Sequence, residues 1–299
     1  MSYVFLVEQL LNGLQLGVML FLIAAGLTLV FGIMNFINLA HGSLYMIGAF
    51  FAASLSKWTG SFVLGVLLAL AALALLAVVL EAIALRPLYE RDHLDQVLGS
   101  FALILLFNEL AVMLWGTEPQ YIATPPLLTG AVELLPGVKY PILRLAITGF
   151  GLTVAAALYV LVTHTRIGML IRAGAANRRM VQGLGVNVGM LFSFTFALGA
   201  ALAGFAGMIT GPLLAVQVGI GEPMLILAFV VVVIGGIGSI RGAFVAALLV
   251  GLVDSMGRFL LPLWLGYQVG PAVASMAIYI LMAGVLLWRP QGLFSGARG

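Results

Sequence analysis

Long apolar segments alternate with short polar ones along the whole chain, and most of the apolar segments are long enough to cross a bilayer as helices. About 20 mainly apolar residues are needed to span about 30 Å of hydrocarbon. Eight stretches fit a membrane-spanning helix: 8–32, 61–84, 96–115, 141–163, 189–211, 223–239, 242–260 and 268–288. A ninth, 43–57, is apolar but short, and the pattern leaves open whether it spans obliquely or is re-entrant.

The number of apolar segments predicts the fold class. Backbone amides inside hydrocarbon must be satisfied within helices or closed barrels. We therefore expect an all-α polytopic membrane protein with about eight or nine transmembrane helices, some short or broken, forming one permease-like domain over 1–299. The first twenty residues lack the basic start and small-residue cleavage site of a signal peptide, which favours a retained first helix.

Composition excludes several classes of protein. Apolar residues make up 63% of the chain and charged residues 8%, whereas a soluble protein carries about 25% charged residues. Membrane lipid is therefore the solvent for most of the chain, and a secreted or cytosolic enzyme is excluded. The net charge of +3 is too small to indicate a nucleic-acid partner. The absence of cysteine excludes disulfides, thiol catalysis and Cys-ligated zinc.

Basic residues predict the orientation, because lysine and arginine accumulate in cytoplasmic loops. When 164–188 is placed in the cytoplasm, nine of the 13 basic residues lie on that side. The polar stretch 116–140 then forms a periplasmic loop, and its four prolines favour an ordered, non-helical surface. The stretch 164–188 forms a cytoplasmic loop, which we expect to contain short helices with an apolar stripe.

Polar residues interrupt the first apolar region between 35 and 43. Asn35, Asn38 and His41 are spaced three apart, so they share one face if the helix persists. Amides and an imidazole are costly against lipid, so this face, with Ser43, is expected to look inward along a substrate pathway. The alternative is a ladder of hydrogen bonds between helices without substrate contact.

Glycines break a late apolar run at 234–242. Gly235, Gly236 and Gly238 weaken a helix there, and discontinuous helices in transporters tend to occur at binding sites. We therefore assign this backbone to the substrate pathway, with a tight turn between two helices as the alternative. Nucleotide binding is rejected, because Arg241 occupies the place of the third glycine and no Gly-Lys-Ser/Thr follows.

Few charged residues lie at bilayer depth, where charge is a functional hypothesis by default. Glu81 and Glu109 are either functional or in polar contact at a boundary, and Asp254 is spaced to pair with Arg258 on one helix face. No catalytic or metal-binding motif stands out, so we predict no enzyme activity. One set of small residues permits close helix packing: Ala203, Gly207 and Gly211.

Three stretches carry a family resemblance. The opening, with NGLQLG from 12, AGLTLVFG from 25 and NLAHGSLYMIGA from 38, resembles that of the branched-chain amino acid ABC importer permeases. RAGAANRRMVQGLGVN from 172 resembles their cytoplasmic coupling loop, and GGIGSIRGA from 235 resembles their late glycine motif. The three stretches occur in matching order and span almost the whole chain.

The resemblance implies the inner-membrane permease subunit of an importer. A periplasmic solute-binding protein, two ABC ATPase subunits and a second permease subunit (a copy or a related chain) are then the expected partners. No cofactor is expected on this chain, because ATP is hydrolysed by the partner subunits. Alanines in the coupling loop permit close approach, and Arg172, Arg178 and Arg179 either orient it or mark the inside. The expected ATPase contact residues are Arg172, Ala173, Ala175, Ala176, Asn177, Gly185 and Asn187.

The expected substrate is a branched-chain amino acid or a related small polar solute. Ser43 and Arg241 stand where the family often has an acidic residue and a proline, and relatives also import urea, short amides and aromatic acids. The substrate therefore stays open. An ion-coupled secondary transporter or channel is the alternative function, and it would give Glu109 or Asp254 a role.

Overall fold

The computed structural model describes residues 3–294, except the side chains at positions 178 and 179. This part of the chain contains eleven α-helices and one β-hairpin, joined by loops and short helical turns. The helices are α1 (Tyr3–Met34), α2 (His41–Thr59), α3 (Phe62–Leu80), α4 (His93–Trp115), α5 (Ile142–His164), α6 (Arg166–Ala176), α7 (Arg178–Gly183), α8 (Val188–Thr210), α9 (Gly221–Gly235), α10 (Ile240–Leu265) and α11 (Gly270–Trp288). The hairpin strands are β1 (Ala131–Leu135) and β2 (Val138–Pro141).

Seven helices in the described part of the chain are long and apolar enough to cross a membrane. They are α1, α4, α5, α8, α10, α11 and α3, which continues through a π-helical and a 3₁₀ turn as far as Leu88. This confirms an all-α polytopic membrane protein. The two remaining apolar segments form α2 and α9, so all nine segments found in the sequence are helical.

The two shorter helices differ from their predicted forms. The segment predicted at 43–57 forms a regular helix of 19 residues, α2, which is not among the seven candidate membrane spans. The span predicted at 223–239 is wrong in length, because α9 has 15 residues and ends at Gly235. It stops there because Gly236 has a φ of +99°, which a right-handed helix does not allow.

The β-hairpin marks one end of the helix bundle. The Tyr3 hydroxyl, at the start of α1, donates to the carbonyl of Pro136 in the hairpin turn. Tyr140 Oη and Arg144 Nη1 both donate to Asn12 Oδ1, at 3.1 and 2.6 Å. Burial raises the pKa of Tyr140, and the nearby Arg144 opposes that rise. We call this end, with the start of α1, the outer end, and the end with 164–188 the inner end.

The helices α1, α2 and α8 form the buried centre of the molecule, while α4, α5 and α11 lie at its periphery. At the centre α1 and α8 cross at Gly26 and Gly199, where a Cβ on Gly26 would lie 2.5 Å from the Gly199 carbonyl oxygen. Gly199 is the central residue of α8. Leucine, isoleucine and phenylalanine side chains are exposed on the peripheral helices, as expected of surfaces that face lipid.

Candidate substrate pathway and coupling loop

The polar stretch after α1 does not continue the helix. α1 ends at Met34, Asn35 takes a left-handed conformation with φ of +49°, and residues 36–40 lead back toward the centre. The shared helix face expected for Asn35, Asn38 and His41 is therefore wrong. Asn35 is exposed, Asn38 is fully buried, and His41 is the first residue of α2.

The buried polar groups at the start of α2 lie near the middle of the molecule. His41 Nε2 is 3.1 Å from the carbonyl oxygen of Ile23, and a Cβ on Gly26 would lie 3.0 Å from the His41 ring. His41 Nδ1 and both polar atoms of the Asn38 side chain have no hydrogen-bond partner among the described residues. Ser43 is also buried, in the first turn of α2. Buried polar atoms without partners are unusual and call for an explanation.

Two helices begin at this depth and touch at their first turns. A Cβ on Gly42 would lie 2.4 Å from the Gly221 carbonyl oxygen, and a Cβ on Gly221 would lie 2.2 Å from that of Gly42. From this contact α2 runs to the outer end, while α9 runs to the inner end and stops near Gly32 of α1. Each helix is therefore a half-crossing, which runs from the centre of the molecule to one of its ends.

The two half-crossings share a short sequence match as well as a position. The nine residues from Gly42 (GSLYMIGAF) and the nine from Gly221 (GEPMLILAF) share Gly, Ile, Ala and Phe at equal positions. The reciprocal contacts of Gly26 with Gly199 and of Gly42 with Gly221 fit an inverted repeat of α1–α2 with α8–α9. Inverted repeats of broken helices are typical of transporters, whose substrate sites lie near the midplane.

The glycine motif after α9 has a structural explanation. A Cβ on Gly235 would lie 2.5 Å from the backbone of Gly242, so the glycines let α9 and α10 meet in a tight turn. The carbonyls of Ile234 and Gly235 accept hydrogen bonds from the amides of Leu293 and Phe294. Gly236 and Gly238 both have positive φ, and Gly238 lies beside Gly32 at the inner part of α1. The freed backbone groups therefore bind the chain itself, and a role in the pathway stays a prediction.

A cavity of about 370 Å³ opens between α2, the outer end of α8 and the start of α9. The Tyr45 hydroxyl and Thr210 Oγ1 are hydrogen-bonded at 2.8 Å and form a polar patch in its largely apolar wall. The rest of its lining comes from Ala49, Gly207, Gly211, Leu214, Ala215, Val216, Gln217, Val218, Gly219, Ile220, Pro223 and Met224.

Sequence analysis missed a polar pair near the same depth. Asn108 Nδ2 on α4 donates to Glu222 Oε1 in the first turn of α9, at 2.7 Å. Glu222 was overlooked because it looks like a polar residue ahead of an apolar run. Once α9 is known to begin at the centre, the carboxylate lies at bilayer depth. Its match with Ser43 in the repeat was the available signal.

The 164–188 loop folds into two short helices, as expected. Asn177 Oδ1 accepts from the Met180 amide at the start of α7, and Asn187 Oδ1 accepts from the Met190 amide at the start of α8. Gly185 has a φ of +84° in the turn between α7 and α8. Both asparagines thus have a structural role as helix caps. Among the other expected contact residues, Arg172, Ala175 and Ala176 are exposed and Ala173 is partly buried.

The apolar residues of this loop lie on two faces. Ile171 and Val181 are buried against the bundle, whereas Met169, Met180 and Leu184 are 55%, 63% and 76% exposed. The side chains of Arg178 and Arg179 lie outside the described residues. The loop therefore presents an apolar surface beyond the end of the spanning helices.

The acidic residues singled out in the sequence have different surroundings. Glu81 is fully buried and accepts from Arg86, Tyr89 and Ser193. Asp254 pairs with Arg258 at 2.8 Å, as predicted, and Glu109 is exposed on α4. Among the described residues, no group of three or more His, Asp or Glu side chains could hold a metal ion.

Comparison with known proteins shows that this chain is similar to transport permeases. Residues 9–286 match the family model described as the permease component of branched-chain amino acid transport systems. The chain is 34% identical to the high-affinity branched-chain amino acid transport system permease protein BraD of Pseudomonas aeruginosa, over 96% of this chain and 94% of BraD. It is 28% identical to the corresponding permease LivH of Escherichia coli, over 97% and 98% of the two chains. A probable branched-chain amino acid transport permease LivH of Methanocaldococcus jannaschii is 26% identical, over 92% and 88%.

No solved structure matches the chain significantly. The family match covers most of the chain, and the relatives align over nearly their full lengths. The chain therefore belongs to the family of permease components of branched-chain amino acid transport systems.

Proposed function

We propose that this chain forms the pathway through which an ATP-binding-cassette importer moves a branched-chain amino acid or a related small polar solute. The observation that carries this proposal is the end-to-end similarity to BraD, combined with two helices that begin at the centre of the bundle. The chain is a multi-pass permease subunit of the bacterial inner membrane. It contains no nucleotide-binding motif, so the energy comes from ATP hydrolysed by partner subunits. The chain itself catalyses no reaction and binds no cofactor.

The inner loop is the surface that receives this energy. Helices α6 and α7 expose Met169, Met180 and Leu184 on a loop that lies beyond the spanning helices. An apolar surface in that position favours a protein partner, here a pair of ATPase subunits. Because α8 begins directly after the loop, displacement of the loop displaces α8, which packs against α1 and α2 at the centre.

The pathway in this proposal follows the junction of α2 and α9. Asn38, His41 and Ser43 lie at this depth, and the cavity beside Tyr45 and Thr210 opens from it toward the outer end. The loop 116–140 at that end is the periplasmic surface on which a solute-binding protein docks, and a second permease subunit completes the pathway. The ordered hairpin supports this role, because a rigid surface binds a partner with less loss of conformational entropy.

A bulky substitution in the loop tests the proposal. We expect Ala176→Phe to abolish ATP-driven leucine uptake by the complete importer in proteoliposomes, because the exposed alanine permits close approach of the ATPase. The matched control is Ala272→Phe, an exposed alanine on α11 at the other end, which should transport normally. Normal uptake by Ala176→Phe would contradict the proposal. So would uphill uptake by the lone chain in an ion gradient, which would instead support a secondary transporter.

A further inference from the structure

The carboxylate of Glu222 occupies an unusual place for an acidic side chain. It belongs to the first turn of α9, and the neighbouring Gly221 contacts Gly42 near the centre of the bundle. Its partner Asn108 lies well inside α4, with six residues between it and the end of that helix at Trp115. An ionisable group at such depth is expensive in a membrane and is normally retained for a function.

The contacts of this carboxylate among the described residues are with neutral groups. Among the described side chains, the ion pairs are Arg86–Glu81 and Arg258–Asp254, and neither of them includes Glu222. Instead it accepts one hydrogen bond from Asn108 Nδ2 and sits in the first turn of α9, where the helix dipole stabilises negative charge. Glu222 is only partly buried.

The Glu222–Asn108 pair has more hydrogen-bond acceptors than donors. Asn108 Oδ1 is buried and has no hydrogen-bond donor among the described residues. The partly exposed Glu222 carboxylate suits a ligand that brings N–H donors and a positive charge. The primary ammonium group of an amino acid has three such donors, and a charge-assisted hydrogen bond is stronger than a neutral one.

The cavity beside the start of α9 has space for the rest of such a ligand. Gly219, Ile220, Pro223 and Met224, on both sides of Glu222 in the sequence, line this largely apolar space of about 370 Å³. A Cβ on Gly219 would lie 3.5 Å from Glu222 Oε2, so the carboxylate lies beside one residue of the cavity wall. An aliphatic side chain fits such walls.

We propose that Glu222, held by Asn108, binds the ammonium group of the transported solute at the centre of the pathway. This inference rests on the proposed function and narrows it to substrates that carry a primary amine. Urea, simple amides and carboxylic acids without an amine lack the group that the site recognises. The site is formed between a peripheral helix and a half-crossing helix, so movement of α9 would open or close it.

The first test measures transport. We expect Glu222→Gln to lower leucine uptake by the complete importer at least about tenfold, because the charge is lost while an oxygen remains for Asn108. The matched control is Glu90→Gln, the same change at an exposed position between α3 and α4, outside both loops, which should leave uptake unchanged. Normal uptake by Glu222→Gln would overturn the inference. Failure of that variant to insert or to assemble with the ATPases would also overturn it, because the role would then be structural.

The second test does not depend on ATP coupling, so its failure is distinguishable from failure of the proposed function. The chain has no cysteine, and Pro223→Cys places one thiol at an exposed position beside Glu222. We expect the ratio of the reaction rate of aminoethyl methanethiosulfonate, a cation, to that of the sulfonatoethyl anion to be about tenfold higher with Glu222 intact than in the Glu222→Gln variant. An equal ratio in the two proteins would overturn the inference.

Protection of the same thiol identifies the ligand chemistry. Leucine and isopentylamine, which both carry the ammonium group, should slow the reaction at Pro223→Cys, whereas isocaproate should not. The Glu222→Gln variant should show no protection by either amine. Protection by isocaproate equal to that by isopentylamine, protection by Na⁺ alone, or no protection by any of them would each overturn an ammonium site.

Discussion

At the scale of single residues, the centre of the molecule depends on glycines that leave room for a neighbouring backbone. Gly42 and Gly221 have ordinary negative φ values, so their lack of a side chain matters here for space and not for backbone freedom. Each of them would place a Cβ within 2.5 Å of the other's carbonyl oxygen. Such contacts between small residues are how helices approach closely in a membrane.

Gly42→Ala should therefore destabilise the protein. Because the methyl group meets backbone and not a movable side chain, we expect a cost of about 1–3 kcal/mol and a lower Tm in detergent. Gly284→Ala on α11 is the control, since a Cβ there meets nothing within 4 Å, and its Tm should stay the same or rise. An unchanged Tm for Gly42→Ala would show that α2 and α9 do not touch as described.

At the scale of elements, a buried carboxylate ties the inner part of α3 to the start of α8. Glu81 Oε2 accepts from Ser193 Oγ at 2.6 Å and from Arg86 Nη2 at 2.9 Å, and Tyr89 Oη donates to Oε1 at 3.0 Å. Glu81 begins the π-helical turn that follows α3. Since α8 starts directly after the loop 164–188, the proposed coupling mechanism requires that this cluster make α3 move with α8 when the loop is displaced.

Ser193→Ala tests this link. Removing a hydroxyl that donates to a buried carboxylate should destabilise the protein by about 1–3 kcal/mol, read as a lower Tm in detergent. Ser275→Ala is the matched control, because that exposed serine donates only to Ala272 of its own helix. Equal Tm values for the two variants would mean that the contact between α3 and α8 does not depend on this hydrogen bond.

At the scale of the whole molecule, the two loops lie at opposite ends of α5, and the distribution of basic residues predicts which end faces the cytoplasm. Leu127 in the outer loop is 91% exposed and Leu184 in the inner loop is 76% exposed. In this cysteine-free chain, Leu127→Cys should react with an impermeant maleimide on intact spheroplasts, and Leu184→Cys only after permeabilisation. The reverse pattern would invert the proposed topology and place the coupling loop on the wrong side.

Much of this architecture could be predicted from local patterns. The nine apolar segments, the short helices of the inner loop and the Asp254–Arg258 pair follow from hydropathy and helical spacing. The candidate pathway was predicted only in part. Asn38 and His41 are buried at the centre, but Asn35 is exposed, and the last two backbone carbonyls of α9 are bonded to residues 293 and 294. Periodicity assumes a continuous helix, and it fails where a left-handed residue such as Asn35 reverses the chain.

The sequence by itself determined the solvent, the helical class, the family resemblance and the expected sidedness, because each depends on composition, segment length or local motif. Only the tertiary structure decided that α2 and α9 begin at the centre and meet through Gly42 and Gly221. It also decided that Glu222 reaches Asn108, 114 positions away. Depth in a membrane and contact between distant segments depend on how helices pack, and hydropathy along one segment carries no information about its neighbours.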